Sequence, residues 1–262
     1  MIDIKDKKYC CGCHACANVC PKHCIDMNAD EQGFLYPNVD TKKCIDCGLC
    51  EKVCPIINQS NPSKPIKVYA AKNTDEEILK QSSSGGIFTL LAEKIINDGG
   101  IVFGAKFDAE WNVVHSWTDT IDGISDFRGS KYVQSTIGNT YSQAKEFLEQ
   151  GRYVLFSGTP CQIAGLKKFL RKEYDKLITV EVVCHGVPSP KIWNEYLNSL
   201  QIIDIGTISH KDKRTGWRSY SFSIRDKDGK LIYTEKASEN KYLSAFIRNL
   251  TLRPSCFSCP SK

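Results

Sequence analysis

The stretch CCGCHACANVCP, residues 10–21, returns 34 residues later as CIDCGLCEKVCP, residues 44–55. Cys10, Cys13, Cys16 and Cys20 in the first copy, and Cys44, Cys47, Cys50 and Cys54 in the second, share the pattern C-x2-C-x2-C-x3-C-P. Three thiols in such a short loop do not suit a zinc knuckle, which draws its ligands from two separated pairs. They suit a loop wrapped around a four-iron cubane, whose fourth cysteine, set off by proline, reaches the other cluster. The spacing therefore assigns Cys10, Cys13, Cys16 and Cys54 to one 4Fe-4S cluster, and Cys44, Cys47, Cys50 and Cys20 to a second.

Between the two copies, Ile25-Asp26-Met27 and Phe34-Leu35-Tyr36 flank the polar run from Asn28 to Gly33, a hairpin on which both loops are mounted. Residues 1–60 thus resemble a bacterial two-cluster ferredoxin, an α+β module. Cys11 and Cys24 find no vacant ligand position, and Cys24 falls where such ferredoxins place a small apolar residue, which makes packing its expected role. After Ile57 a polar run punctuated by two prolines reads as a linker, and a second domain is expected over residues 66–262.

Composition sets the context for this metal chemistry. Fourteen cysteines in a secreted miniprotein would indicate disulfides, but the residues from Met1 to Cys10 hold no apolar signal stretch. No apolar run approaches the roughly 20 residues of a membrane span. A reducing cytoplasm, where clustered cysteines serve as ligands, is the expected location. The net charge of +5 is spread along the chain without a basic block, which argues against a nucleic-acid partner. Residues 1–60 hold 7 Lys and 8 acidic side chains, and two oxidised clusters with their thiolates would add about −4. An acidic module beside a basic body favours docking between them, although diffuse surface charge contributes little.

Beyond the linker, short apolar runs alternate with amphipathic ones. Strands are expected at Val68–Ala71, Ile101–Ala105, Tyr153–Phe156 and Ile178–Val183, with helices over Gly85–Asn97, Gln143–Gln150, Gln162–Lys172, Lys191–Leu200 and Asn240–Leu250. Continuous apolar strands between helices point to a parallel sheet covered on both faces. Tyr220–Arg225 and Lys230–Thr234, around Asp228-Gly229, read instead as an antiparallel hairpin. The fold class is a ferredoxin-like α+β module followed by a mixed α/β domain with a largely parallel sheet and an antiparallel hairpin.

Four cysteines remain: Cys161, Cys184, Cys256 and Cys259. Cys161 follows a strand inside Thr159-Pro160-Cys161-Gln162, a capping box with proline at the first helical position, where the helix terminus favours thiolate. Cys184 ends the next strand, and successive parallel strands open their carboxyl ends onto one crevice. Cys256-x2-Cys259 can supply two more ligands. Four thiolates fit a third cubane or a zinc ion; a Cys161/His185 nucleophile and unrelated thiols are the other readings. Ser82-Ser83-Ser84-Gly85-Gly86 precedes a helix, either as a phosphate-binding turn or as a plain cap. Lys211, Lys213, Arg214 and Arg218 around Trp217 read as an anion site or a solvated face.

From Ser82 onward the chain resembles the coenzyme F420 hydrogenase/dehydrogenase beta-subunit family, through SSSGG (82–86), GSKYVQS (129–135), SGTPCQIAGLK (157–167), VCHGVPS (183–189) and LRPSCFSC (252–259). The resemblance implies FAD held near Ser83, Ser84, Gly85, Gly86, Lys131 and Tyr132, and a third 4Fe-4S cluster on Cys161, Cys184, Cys256 and Cys259. It further implies an oxidoreductase passing electrons between the clusters and a flavin-linked hydride donor or acceptor, with coenzyme F420 as one candidate. His185 and Lys131-Tyr132 would orient the flavin or donate a proton. Its partners would be a redox protein or external carrier and a small-molecule hydride acceptor. The alternative is a non-catalytic electron-transfer subunit docking on a separate redox enzyme. The family usually continues past its final C-x2-C, whereas three residues follow Cys259, so truncation of the second domain at its C-terminus is an open expectation.

The crossed pairing makes a direct prediction. Cys20→Ala should damage the cluster of the second motif, and Cys54→Ala that of the first, while Cys11→Ala and Cys24→Ala keep the parental iron content. Lesions confined to each variant's own motif, seen by EPR, would contradict the exchange.

Overall fold

The computed structural model describes residues 1–59 and 64–260, so that part of the expected linker lies outside the described residues. Each cysteine loop enters a short helix through a residue in the left-handed region. His14 (φ 62°) precedes α1 (Ala15–Val19) and Gly48 (φ 70°) precedes α2 (Leu49–Lys52). Between them β1 (Ile25–Ala29) and β2 (Leu35–Val39) pair antiparallel, Ile25 opposite Val39 and Ala29 opposite Leu35. The Asp30 carboxylate closes their turn by accepting from the Gln32 and Phe34 N–H groups, a local bond that aspartate makes readily.

The body continues with α3 (Glu76–Gln81), α4 (Ile87–Asn97), β3 (Ile101–Phe107), β4 (Val113–Thr118), α5 (Thr140–Glu149), β5 (Val154–Gly158), α6 (Pro160–Leu170) and β6 (Leu177–Glu181). Then come α7 (Pro190–Ser199), β7 (Ile205–Asp212), β8 (Ser221–Asp226), β9 (Leu231–Lys236) and α8 (Lys241–Ile247). The first sheet runs β4-β3-β5-β6, with β3–β5 and β5–β6 parallel and β4 antiparallel on the edge. A separate antiparallel sheet, β7-β8-β9, contains the hairpin expected around Gly229.

Two features depart from the sequence reading. Val68–Ala71 is not a strand: Val68 and Tyr69 stand 85% and 76% exposed, and without burial or a partner edge a β-prone run forms no ladder. Conversely, β4 and β7 were not anticipated, because their polar and aromatic residues break the apolar run that marks a buried strand.

One face of the mixed sheet packs under α4 through Ala92, Ile95, Val102 and Leu155. The other packs under α5 and α6 in a core that also takes in Cys11, Cys13, Ala15 and Val53, so the module and the body share one apolar interior. Hydrogen bonds cross the same seam: Asn18 Nδ2 donates to the Gly138 carbonyl at 2.7 Å, and Ser142 Oγ donates to Asn18 Oδ1 at 3.2 Å. No helix of the described residues is long and apolar enough to cross a membrane.

Docking depends on a close approach at α6. A Cβ on Gly165 would lie 2.9 Å from both Cβ and Sγ of Cys13 and 3.0 Å from the Tyr141 hydroxyl. Gly165→Val should therefore destabilise the chain by roughly 1–3 kcal/mol through overpacking, read as a lower midpoint in anaerobic denaturation. An unchanged midpoint would show that the first cysteine loop does not rest there.

Candidate metal centres and cofactor cleft

Cys20, Cys44, Cys47 and Cys50 line one cavity of the module, so the last cysteine of the first motif faces the second motif's loop. Two backbone N–H groups donate to its sulfurs, Ile2 to Cys50 Sγ at 3.2 Å and Asp46 to Cys44 Sγ at 3.4 Å. Cys24 stands at the same wall, its Sγ 3.4 Å from Cys20 Sγ, in the apolar cluster with Ile2 and Ile25. On the other side, burial pushes the Cys16 thiol up to about 12, with Cys10 and Cys54 adding to the effect. Cys13 lies instead on the side of Gly165 and Tyr141, beside Cys11.

The second group of thiols is assembled by the body. β5 ends at Gly158, and Thr159 starts α6, its N–H donating to Gln162 Oε1 at 3.0 Å with Pro160 in the first turn, which sets Cys161 at the sheet's carboxyl edge. β6 ends at Glu181, three residues before Cys184. The carboxyl-terminal segment is then sewn to this edge: the Arg253 N–H donates to the Val187 carbonyl at 3.0 Å and the Ser189 N–H to the Thr251 carbonyl at 2.9 Å, delivering Cys256 and Cys259. Burial, with Cys161, Cys256 and Cys259 adding to it, pushes the Cys184 thiol up to about 11, so all four lie within electrostatic reach. The expected lowering of Cys161 by its helix terminus is reversed. The hydrogen bond it donates to Cys11, then burial, hold the Cys161 thiol well above its usual range. Crowded buried thiols resist joint ionisation, and metal supplies the missing positive charge.

Among the described residues no three Cys, His, Asp or Glu side chains are gathered at a single-ion position.

Sequence reasoning missed the residues that join the two regions. Arg253, fully buried, donates from Nε to the Cys10 carbonyl at 2.7 Å and from Nη1 to Gln134 Oε1 at 2.9 Å. Gln134 Nε2 in turn donates to the Cys11 carbonyl at 3.1 Å. Gly12, in the left-handed region at φ 68°, gives room for this: a Cβ there would meet Arg253 Nη1 and Gln134 Nε2 at 2.8 Å. The signal was present, since both side chains lie in motifs carrying the family resemblance, but attention there fell on Lys131, Tyr132 and the cysteines.

A cleft of about 1180 Å³ opens between the 71–85 segment, the 125–131 segment and β7. Nine Lys or Arg and three Asp line it, Ser84, Gly85 and Lys131 among its walls. Gly85 lies where a Cβ would come within 2.7 Å of the Ala71 carbonyl, and Gly86 (φ 73°) opens α4 with no side chain capping it. Ser83 stands behind the wall, its Oγ accepting from the Ser130 N–H at 2.6 Å. Lys131 Nζ donates to the carbonyls of Asp126 at 2.8 Å and Arg128 at 2.9 Å, and burial pushes its ammonium down to about 8 against the pull of Asp126. Trp217 is half exposed, with Lys211 and Lys213 Nζ 4.6 and 5.1 Å from its ring. Tyr132 turns away from the cleft into the apolar core. Its ring lies 5.0 Å from Phe246, which in turn meets His185 edge-on at 5.1 Å. Aromatic contact thus runs from beside Lys131 to beside Cys184.

Residues 9–56 match a 4Fe-4S dicluster domain. Residues 68–140 match the amino-terminal part, and residues 151–262 the carboxyl-terminal part, of the coenzyme F420 hydrogenase/dehydrogenase beta subunit. A coenzyme F420-dependent sulfite reductase of Methanocaldococcus jannaschii is 29% identical over 210 residues, covering 76% of this chain and 31% of that protein, so the chain spans about a third of that relative's length. A chain of the F420-reducing NiFe hydrogenase complex from Methanosarcina barkeri, solved as a xenon derivative, aligns with TM-score 0.48 and 23% identity over 72% of this chain and 63% of its own. With both parts of one family spanning most of residues 68–262 behind a dicluster domain, the chain belongs to the coenzyme F420 hydrogenase/dehydrogenase beta-subunit family, as an iron-sulfur member of it.

Proposed function

We propose that the chain is an iron-sulfur flavoprotein that exchanges electrons between three 4Fe-4S clusters and a hydride donor or acceptor of the coenzyme F420 type. The observation that carries this reading is the cleft, whose nine basic side chains against three acidic ones suit a ligand with several phosphates. FAD, when bound, supplies the exchange between two-electron hydride chemistry and one-electron clusters. Ser84 and Gly85 present backbone to its phosphates beside the start of α4, and Trp217 offers a face for a ring. Lys131, whose ammonium sits at about 8, holds a proton that it can release near neutral pH.

The cysteines take the roles that spacing and placement support: Cys10, Cys13, Cys16 and Cys54 for the first cluster, Cys20, Cys44, Cys47 and Cys50 for the second, and Cys161, Cys184, Cys256 and Cys259 for the third. A reducing cytoplasm, where clustered cysteines serve as ligands, is the location this reading favours. A redox partner protein would exchange electrons at the module. An electron-transfer subunit without hydride chemistry is the competing reading, and it leaves so basic a cleft without an occupant.

Anaerobic purification of the full chain followed by iron, sulfide and flavin quantitation, then mixing with reduced coenzyme F420 or a nicotinamide, tests the proposal. FAD is expected at about one per chain, with bleaching of the cluster absorption on reduction. Gly85→Leu should lower FAD affinity at least tenfold with iron retained, and Cys161→Ala should remove about four irons. Equal FAD binding by parent and Gly85→Leu would refute the phosphate site. Clusters that stay oxidised in a flavin-loaded chain given both hydride donors would favour the electron-transfer subunit.

A further inference from the structure

Arg253 is the largest charged side chain in the interior, and its surroundings are unusual. It is fully buried and makes no ion pair with any carboxylate among the described residues. A buried guanidinium without a counter-charge is costly, so a stable fold supplies the missing negative charge from elsewhere. Its hydrogen bonds go to neutral acceptors: the carbonyls of Cys10 at 2.7 Å and Leu35 at 2.9 Å, and Gln134 Oε1 at 2.9 Å. Its flat face lies 4.2 Å from the Tyr36 ring centre and 5.4 Å from that of Phe34.

What remains within reach is sulfur. Arg253 Nη2 lies 3.6 Å from Cys10 Sγ, and its Nε holds the Cys10 carbonyl. Cys10 belongs to the module and Arg253 to the body. Cys256 follows Arg253 by one short turn, its N–H donating to the Arg253 carbonyl at 2.9 Å. One cation therefore sits at the seam between the first cluster's ligands and the proposed third set.

We propose that Arg253 is the buried counter-charge shared by these two thiolate sets: a positioning residue that locks the module onto the body and raises the reduction potential of the cluster held by Cys10. The inference rests on the cluster reading given above. Cluster potential follows net charge, hydrogen bonds to sulfur and burial, and Arg253 supplies a positive charge and an N–H near sulfur where water is excluded. Added negative charge on reduction is offset by this buried, fixed cation, whereas the second set has backbone N–H groups on Cys44 and Cys50 and the exposed Met1 ammonium nearby.

The test is an anaerobic redox titration followed by EPR on the full chain and on Arg253→Met, Arg253→Lys and Gln134→Glu, with iron and sulfide counted first. The relevant signal is the one that disappears in Cys10→Ala. In Arg253→Met, with iron retained, its reduced-to-oxidised ratio at fixed potential should fall at least tenfold, about 59 mV for one electron. Arg253→Lys should stay near the parent. Gln134→Glu, which sets a carboxylate against the guanidinium without removing it, should shift in the same direction as Arg253→Met. A parental potential in an iron-replete Arg253→Met overturns the proposal, as does an Arg253→Lys that shifts equally far. If Arg253→Met loses the cluster, an iron-replete Gln134→Glu with parental potential overturns it. Loss from both of these with Arg253→Lys intact upholds the charge, whereas loss from all three reduces Arg253 to packing. A parent holding about eight irons would instead remove the third cluster and leave the test at Cys10 standing.

Discussion

Buried thiols that ionise side by side repel one another, and this chain is built around that conflict. Cys10, Cys16, Cys161 and Cys184 are all pushed up by burial, and neighbouring thiols add to the effect. Left as protonated thiols they are only small apolar groups; as thiolates they need positive charge beside them. In the proposed function iron would supply it at each set, coupling cluster assembly to folding as metal sites generally do, and Arg253 would supply it at the seam. The shared interior of module and body, with Cys11, Cys13, Ala15 and Val53 against the helices that cover the sheet, makes the ferredoxin-like part integral to the architecture.

The same packing orders the sites in space. The first cysteine loop rests on α6, whose amino-terminal turn carries Cys161. Cys161 belongs with Cys184, beside which His185 leads through Phe246 to Tyr132, the neighbour of Lys131 in the cleft wall. Ring contacts thus link the proposed third thiol set to the residue beside Lys131 in the cleft wall. Nothing in this layout requires long loops to move. The backbone pairing of residues 187–189 with 251–253 fixes the last ligand-bearing segment to the sheet edge before any cofactor contact is considered.

Much of this was legible in the sequence where the pattern was local. The doubled cysteine motif is local and so was readable, and one cavity of the module gathers Cys20 and Cys24 with Cys44, Cys47 and Cys50. The alternation of apolar and amphipathic runs located β3, β5, β6 and their helices, because continuous burial leaves a continuous trace. Where a residue's role depended on a distant partner, the trace was absent. Arg253 in isolation is a surface residue by type, and only the fold shows it buried against Cys10, 243 positions away. Val68 and Tyr69 misled for the complementary reason: β propensity was present without a strand to pair with. The thiol of Cys161 likewise reflects Cys11, a contact that helix-terminus reasoning alone does not contain.

The central claim, that the twelve assigned cysteines form three cubane sites in one chain, is tested most directly by counting iron and acid-labile sulfide per chain after anaerobic purification. The account predicts about twelve of each and no zinc, since each cubane holds four irons and four sulfides. About eight of each, with Cys161, Cys184, Cys256 and Cys259 still reactive toward thiol reagents in the folded chain, would contradict it.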